Sequence, residues 1–358
     1  MGQTKNKDYS AISDAYFKET GSLMKISIII PVYQVEPYIE DCLKSVMRQT
    51  YQGELECILV DDCCTDQSMV IAEKLISDYE GPIVFRVLHH QKNRGLSAAR
   101  NTAMDIAQSD YLFFLDSDDM MADDCLERLS EPLKACRYDV VTGDTERVDD
   151  KGGLLYKSCS VVSGRTRLGP KDIMQGFLME DLKIEVWNKL FRTGFVRKNK
   201  LGFLEGVNFE DVLWTFYVAC LAQSLYTVNH ITYFNRYRQG SIMTSVKLES
   251  IVSSLIEIVM AMGAFVKKNG MYNGLIHQMI HTRFHQALIL SVGHPLMFIH
   301  GYRQMRKCAR PSLKELVVAN GRHVKSYLRE IHYLLPPCLA AYYELCVIRL
   351  LVSVKQVK

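Results

Sequence analysis

The chain has 358 residues, with 43 Lys and Arg against 40 Asp and Glu, 48% apolar residues and 11 cysteines. At ~150 residues per domain this length makes about two domains, and the 23% of charged residues fits a globular protein rather than a disordered, collagen-like or coiled-coil one. A net charge of +3 gives no argument for a nucleic-acid partner, and a mean hydropathy of -0.03 argues against a multi-span membrane protein.

Residues 1–24 read as a flexible polar tail, without the apolar stretch of a signal peptide. The cysteines have no C-x-x-C pair, and no Asn-x-Ser/Thr acceptor occurs. A reduced, cytoplasmic protein is the expectation. From Lys25 the pattern alternates. Ile26–Tyr33 reads as a buried strand and Pro37–Thr50 as a helix with Ile39, Cys42, Leu43, Val46 and Met47 on one face. Leu55–Asp61 is a second strand, and Asp66–Tyr79 a helix with Asp66 as its N-cap. Ile83–Leu88 is a third strand, Leu96–Ala107 a third helix and Tyr111–Leu115 a fourth strand. This alternation predicts an α/β fold with a doubly wound, mostly parallel sheet, whose ligands bind beyond the carboxyl ends of the strands. After about Val140 the alternation weakens, and Lys151-Gly152-Gly153 marks a turn. Long helical patterns follow over Leu248–Lys268, Tyr272–Leu290 and, with breaks, Leu313–Val354. The expected division is a tail over 1–24, a catalytic domain over 25–245 and a helical part over 246–358.

The glycine-rich cradles of dinucleotide and P-loop sites are absent, as are the H-E-x-x-H and G-x-S-x-G signatures. The acids stand out instead. Asp61 and Asp62 end the second strand, and Asp116-Ser117-Asp118-Asp119 follows the fourth. Carboxylates alternating on a strand end can face one hard cation such as Mg²⁺ or Mn²⁺; a solvated acidic loop or a helix cap would carry the same residues.

Read together, SIIIPVYQVEPYIEDCLKSVMRQTY, ILVDDCCTDQS and HHQKNRGLSAARNTAMDIAQSDYLFFLDSDD, with weaker matches in VWNKLFRTGF, NFEDVLWTF and YRQGSIM, resemble the family-2 inverting glycosyltransferases of the GT-A fold. The resemblance runs from about Lys25 to Met243. It implies transfer of a sugar from a nucleotide-diphosphate sugar, UDP-linked in the commonest case, to a glycan or lipid-linked acceptor, with a divalent metal, Mn²⁺ or Mg²⁺, and a place in polysaccharide biosynthesis. On the donor side it implies Pro31, Tyr33, Asp61, Asp62, Asn93, Gly95, Arg100 and Asp116. Asp116 and Asp118 become the metal-binding D-x-D, with Asp119 nearby. Arg236, Arg238 and Ser241 form a late basic segment suited to a diphosphate, Trp187, Asn188 and Lys189 line the acceptor side, and Glu210-Asp211 supplies the general base. Two positions depart from the family pattern. Gln34 stands where Asn is usual, and Cys63-Cys64 stand where Gly-Ser is frequent, although a glycine at 63 would suit a positive φ.

Two alternatives share these features. One is an inactive nucleotide-sugar-binding protein. The other is a nucleotidyltransferase, which wants a basic glycine-rich loop where PVYQVEPYIE stands. His277, His281 and His285 recur on one helix face and could meet zinc, although their Ile and Leu neighbours favour a packed polar stripe. The basic stretch His300–Arg310 and the mostly apolar Leu334–Val354 make peripheral contact with the inner face of the cell membrane a further expectation.

Overall fold

The structure, a computed structural model, describes residues 24–150, 153–158, 165–179, 182–237, 246–312 and 331–356. β1 (Ile26–Val32) is buried at every position; both faces of a central parallel strand are covered, so it reads as an unbroken apolar run. α1 (Ile39–Met47) buries Ile39, Cys42, Leu43 and Val46, the i, i+3, i+4, i+7 stripe of a packed helix. β2 (Leu55–Asp61) pairs parallel with β1, from Ile26 opposite Leu55 to Val32 opposite Asp61. α2 (Ser68–Ser77) has Gln67 at its N-cap position, which corrects the expectation for Asp66. That carboxylate accepts from the Ser68 and Glu36 N–H groups, both at 3.1 Å, and so ties the loop after β2 to the loop after β1.

β3 (Val84–His89), α3 (Leu96–Ile106) and β4 (Tyr111–Phe114) complete the order β3-β2-β1-β4, parallel throughout. Next come β5 (Met120–Met121), α4 (Cys125–Ser130), β6 (Val140–Val148), β7 (Leu154–Ser158), β8 (Thr166–Leu168), α5 (Gly169–Leu178), β9 (Lys189–Arg192), α6 (Thr193–Lys198), α7 (Glu210–Leu221) and β10 (Ser224–Arg236). The sheet continues β9-β6-β10-β5, with β7 on β6 and β8 on β10. β9 runs antiparallel to β4 and β6, while β10 is parallel to β6. The region that looked mixed after Val140 thus joins the same sheet, in part through β7, β8 and β9, which at three to five residues are too short to show a period.

The chain forms two units. One takes Met1–Ile173, Glu185–Glu205 and Leu221–Arg238 and holds the sheet; the other takes Met174–Ile184, Gly206–Cys220 and Gln239–Lys358. The division is interleaved, because two stretches within residues 25–245 group with the helices beyond.

The second unit holds α8 (Leu248–Asn269), α9 (Gly274–Ser291), α10 (Pro295–Ala309) and α11 (Pro337–Gln356). Residues 313–330 of the expected helical pattern, and Lys151 and Gly152 of the expected turn, lie outside the described residues. α8 stops at Gly270, whose φ of 61° is left-handed and favours glycine. Asn273 caps α9 by accepting from the Leu275 and Ile276 N–H groups at 2.9 and 3.0 Å. Among the described residues α8 is the helix long and apolar enough to cross a membrane, with half of its apolar window buried; a core helix has the same composition. A Cβ on Gly263 would lie 2.5 Å from the Cys308 carbonyl oxygen, so α8 and α10 meet backbone to backbone. α11 takes up the expected Leu334–Val354 segment from Pro337 onward and buries Ala340, Ala341, Leu345 and Ile348.

The histidine stripe of α9 is bonded into this interior. Tyr272 Oη meets His277 Nδ1, Tyr333 Oη lies 2.8 Å from His281 Nε2, and His285 Nδ1 lies 3.0 Å from the His281 carbonyl. His332 is fully buried, with Nδ1 2.7 Å from Tyr302 Oη. Burial, with smaller contributions from His285, Arg306 and His277, pushes its pKa down to about 3.

Two outcomes follow from this packing. Gly263→Ala forces the α8–α10 crossing apart and lowers unfolding free energy by about 1–3 kcal/mol, measured by urea denaturation. His332 stays neutral when folded but takes a proton near pH 6.5 when unfolded, so the unfolded state binds more protons and stability falls as pH drops from about 6.5. His332→Gln flattens that part of the stability–pH curve; an unchanged slope would assign it to other groups.

Candidate active site

The order β2-β1-β4 sets three carboxyl strand ends side by side. Pro31 is buried within β1, opposite Val60. Tyr33 follows β1 and is 46% exposed, an accessible ring beside the acids of β2 and β4. The next residue, Gln34, has a φ of 53° and is held by its Nε2 donating to Thr65 Oγ1 at 2.6 Å.

The two acids ending β2 divide their work. Asp61 Oδ1 accepts from the Cys64 N–H at 2.8 Å, and Oδ2 lies 3.0 Å from His89 Nδ1. Partial burial opposes ionisation, but these two partners outweigh it and hold the carboxyl below its usual value. Asp62 is buried. It accepts from the Arg94 N–H at 2.8 Å and the Gly95 N–H at 2.7 Å, and meets His90 Nδ1 at 2.7 Å. It therefore ties the loop before α3 to the end of β2. Gly95 has a φ of 88° with open space where a Cβ would stand; the backbone, not crowding, requires glycine there. Asn93 is exposed on the same loop.

From α3, the buried Arg100 donates through Nη2 to Asp116 Oδ1 at 2.8 Å, and its guanidinium lies 5.2 Å from the centre of the Phe203 ring. Asp116 and Asp118 are partly exposed while Asp119 is buried. Asp119 accepts from Tyr233 Oη at 2.8 Å, Asn235 Nδ2 at 3.1 Å and the Arg236 N–H at 2.7 Å. Burial and the neighbouring Asp118 and Asp116 push its pKa up. Tyr233 Oη also accepts from the Asp116 N–H at 3.2 Å, and its ring stacks on Trp187 at 4.6 Å and 11°. Arg236 Nη2 donates to Asp41 at 2.9 Å, with its guanidinium over the Tyr38 ring at 5.2 Å.

The other two residues of the W-N-K segment differ from the expectation of an acceptor lining. Asn188, 1% exposed and with a φ of 57°, donates to the Gly143 and Asp144 carbonyls at 3.0 Å each and accepts from Thr232 Oγ1 at 2.6 Å. Lys189 is also buried and donates to the Glu185 carbonyl at 2.5 Å. Both lock β9 to its surroundings because a buried amide and ammonium must find partners. In the second unit, Glu210 and Asp211 open α7, where the helix dipole favours carboxylates. The turn before them is anchored by Asn208, which donates to Ser254 Oγ at 3.0 Å and Ser250 Oγ at 2.9 Å.

Residues 27–192 match the model of glycosyl transferase family 2. The glycosyltransferase GlyG of Streptococcus pneumoniae is 30% identical over 61% of this chain and 72% of its own length. The chain belongs to glycosyl transferase family 2. A cholesterol galactosyltransferase of Borreliella burgdorferi is 25% identical over 82% of both chains. The fold is that of the crystallised Staphylococcus aureus TarS 1–349 in complex with UDP, with a TM-score of 0.67, 21% identity and coverage of 94% and 92%. As a member of this family the chain is a transferase on a GT-A scaffold.

Arg238 and Ser241 lie outside the described residues. Sequence reasoning missed His90, Asp41, Tyr233 and Asn235, each of which holds a residue that it had named. Only the last two carried a signal: they alternate along one strand before Arg236. Among the described residues no group of three His, Cys, Asp or Glu could hold a metal by itself. Two carboxylates completed by substrate phosphates are nonetheless an ordinary Mg²⁺ arrangement, and Asp116 and Asp118 fit it.

Asp62→Asn replaces an acceptor of two N–H groups with an amide that presents a donor to one of them. The expected loss is about 1–3 kcal/mol of unfolding free energy, read from the urea midpoint.

Proposed function

We propose that this family member transfers a sugar from a UDP-sugar to an acceptor hydroxyl with inversion. The observation that carries this reading is the row at the strand ends: in the strand order, exposed Tyr33 after β1 stands between Asp61 at the end of β2 and Asp116 and Asp118 on the loop after β4. A flat base stacks on Tyr33 and Asp61 accepts from the base or ribose, while the Asp62-anchored loop carries Asn93 and Gly95 along the nucleotide. Asp116 and Asp118 would hold a divalent cation, which when bound neutralises the diphosphate leaving group. Arg100 fixes the Asp116 carboxylate, and Arg236 with Arg238 and Ser241 completes the diphosphate side. Asp211, beside Glu210, takes the acceptor proton as the hydroxyl oxygen attacks the anomeric carbon from the face opposite the diphosphate. Trp187, braced on Tyr233, borders the acceptor. The acceptor is a glycan or a lipid-linked glycan in cell-surface polysaccharide synthesis, met at the cytoplasmic face of the membrane.

Donor hydrolysis and single-turnover transfer in Mn²⁺ test these roles together. Asp118→Ala abolishes UDP release, whereas Asp211→Asn lowers turnover about 10²–10⁴-fold and leaves the UDP-sugar thermal shift in place. Unchanged turnover in Asp211→Asn removes it as base. Donor binding without release identifies an inactive binder, and pyrophosphate release identifies a nucleotidyltransferase.

A further inference from the structure

The small net charge conceals a division along the chain. Residues 258–358 contain 14 Lys and Arg but only Glu315, Glu330 and Glu344 as acids, a net +11, so residues 1–257 carry a net −8. Between Glu257 and Glu315 there is no acid at all. Within the helical unit, Arg303 and Lys307 are exposed at the i, i+4 spacing of one face of α10, and Arg310 is exposed at its C-cap; α10 packs on α11.

α11 is apolar on two sides. Ala340, Ala341, Leu345 and Ile348 are buried. Leu339, Tyr342, Tyr343 and Cys346, again at i, i+3, i+4 and i+7, are exposed, Leu339 to 58% and Tyr342 to 57%. A surface helix of a globular protein ordinarily turns charge outward. Here the outward stripe is aliphatic and aromatic and continues to the exposed Arg349, while Glu344, the one acid of the helix, is buried. Leu334, 61% exposed just before the helix, extends the apolar surface.

We propose that the outer face of α11, with the α10 cations, is a docking surface for an anionic lipid bilayer. Leu and Tyr side chains enter the headgroup region, where amphipathic rings lie with one end apolar and the other wet. The cations meet lipid phosphates. Charge complementarity selects this occupant over a second copy: a self-complementary contact sets the same surface on both sides, and would bring two clusters of cations together. A bilayer also suits the lipid-linked acceptor proposed above, but the surface needs neither donor nor acceptor to act, so its failure leaves the transferase reading standing.

The full chain is sedimented with phosphatidylcholine vesicles with and without phosphatidylglycerol. Binding is expected only with phosphatidylglycerol and weakens as salt rises. Arg303→Gln/Lys307→Gln/Arg310→Gln lowers the partition coefficient on the order of 10²-fold, at about fivefold per charge. Leu339→Ser/Tyr342→Ser lowers it about tenfold. Circular dichroism and the thermal midpoint establish that both variants fold. Binding that ignores lipid charge, or that persists undiminished in both folded variants, overturns the proposal. So does a dimer, seen by light scattering, that dissociates in Leu339→Ser/Tyr342→Ser, since the face then belongs to a second copy.

Discussion

A carboxylate taken out of water must be met by donors, because leaving it unpaired costs far more than any single contact returns. Asp119 is 1% exposed and meets that demand with Tyr233, Asn235 and the backbone N–H of Arg236. All three lie on β10, so this one side chain fastens the loop after β4 to a strand more than a hundred residues later in the chain. The short antiparallel pairing of β5 with β10, Met121 opposite Tyr233, continues the same fastening. Asp116 and Asp118 remain partly exposed on a loop whose course is fixed from beneath. Tyr233 extends the constraint further, to the Asp116 backbone and to the Trp187 ring.

The strand ends carry backbone strain as well as charge. Gln34, Cys63 and Asn188 hold left-handed φ values of 53°, 66° and 57°, at about 1–3 kcal/mol each for a residue with a side chain. Local bonds compensate at two of them: Gln34 reaches Thr65, and Asn188 is bonded to Gly143, Asp144 and Thr232. Cys63 shows why glycine suits that position in the family pattern. The turn keeps its left-handed form with a thiol in place, next to an Asp61 whose carboxylate accepts the Cys64 N–H.

Acids gather where the sheet needs them, and cations where the helices face outward. The acids at the strand ends are not equivalent, because Asp62 and Asp119 are buried and structural while Asp61, Asp116 and Asp118 are the more accessible. Arg100 and Arg236, which look alike in the sequence as candidates for a phosphate, are both already engaged by carboxylates of the chain, at Asp116 and Asp41. Their guanidinium groups are thus held in fixed positions by the chain itself.

The sequence by itself determined the first half of the sheet, since β1 to β4 and the helices between them carry long runs with clear periods and end in residues that strands cannot bury. It also determined which side chains gather at those ends, because a parallel α/β sheet puts every such end on one edge. It did not determine which acid of a pair turns inward, that Asn188 and Lys189 brace β9, or that Tyr233 links Trp187 to the acidic loop. Apart from the Lys189 bond to the Glu185 carbonyl, those outcomes rest on partners some 30 to 120 residues away, and local spacing holds no record of them. Several later strands were illegible for a related reason: β5, β8 and β9 span two to four residues, too few to show a period, and they exist because neighbours in the sheet supply their hydrogen bonds. Only the tertiary structure decides such elements, since the free energy that forms them lies between segments rather than within them.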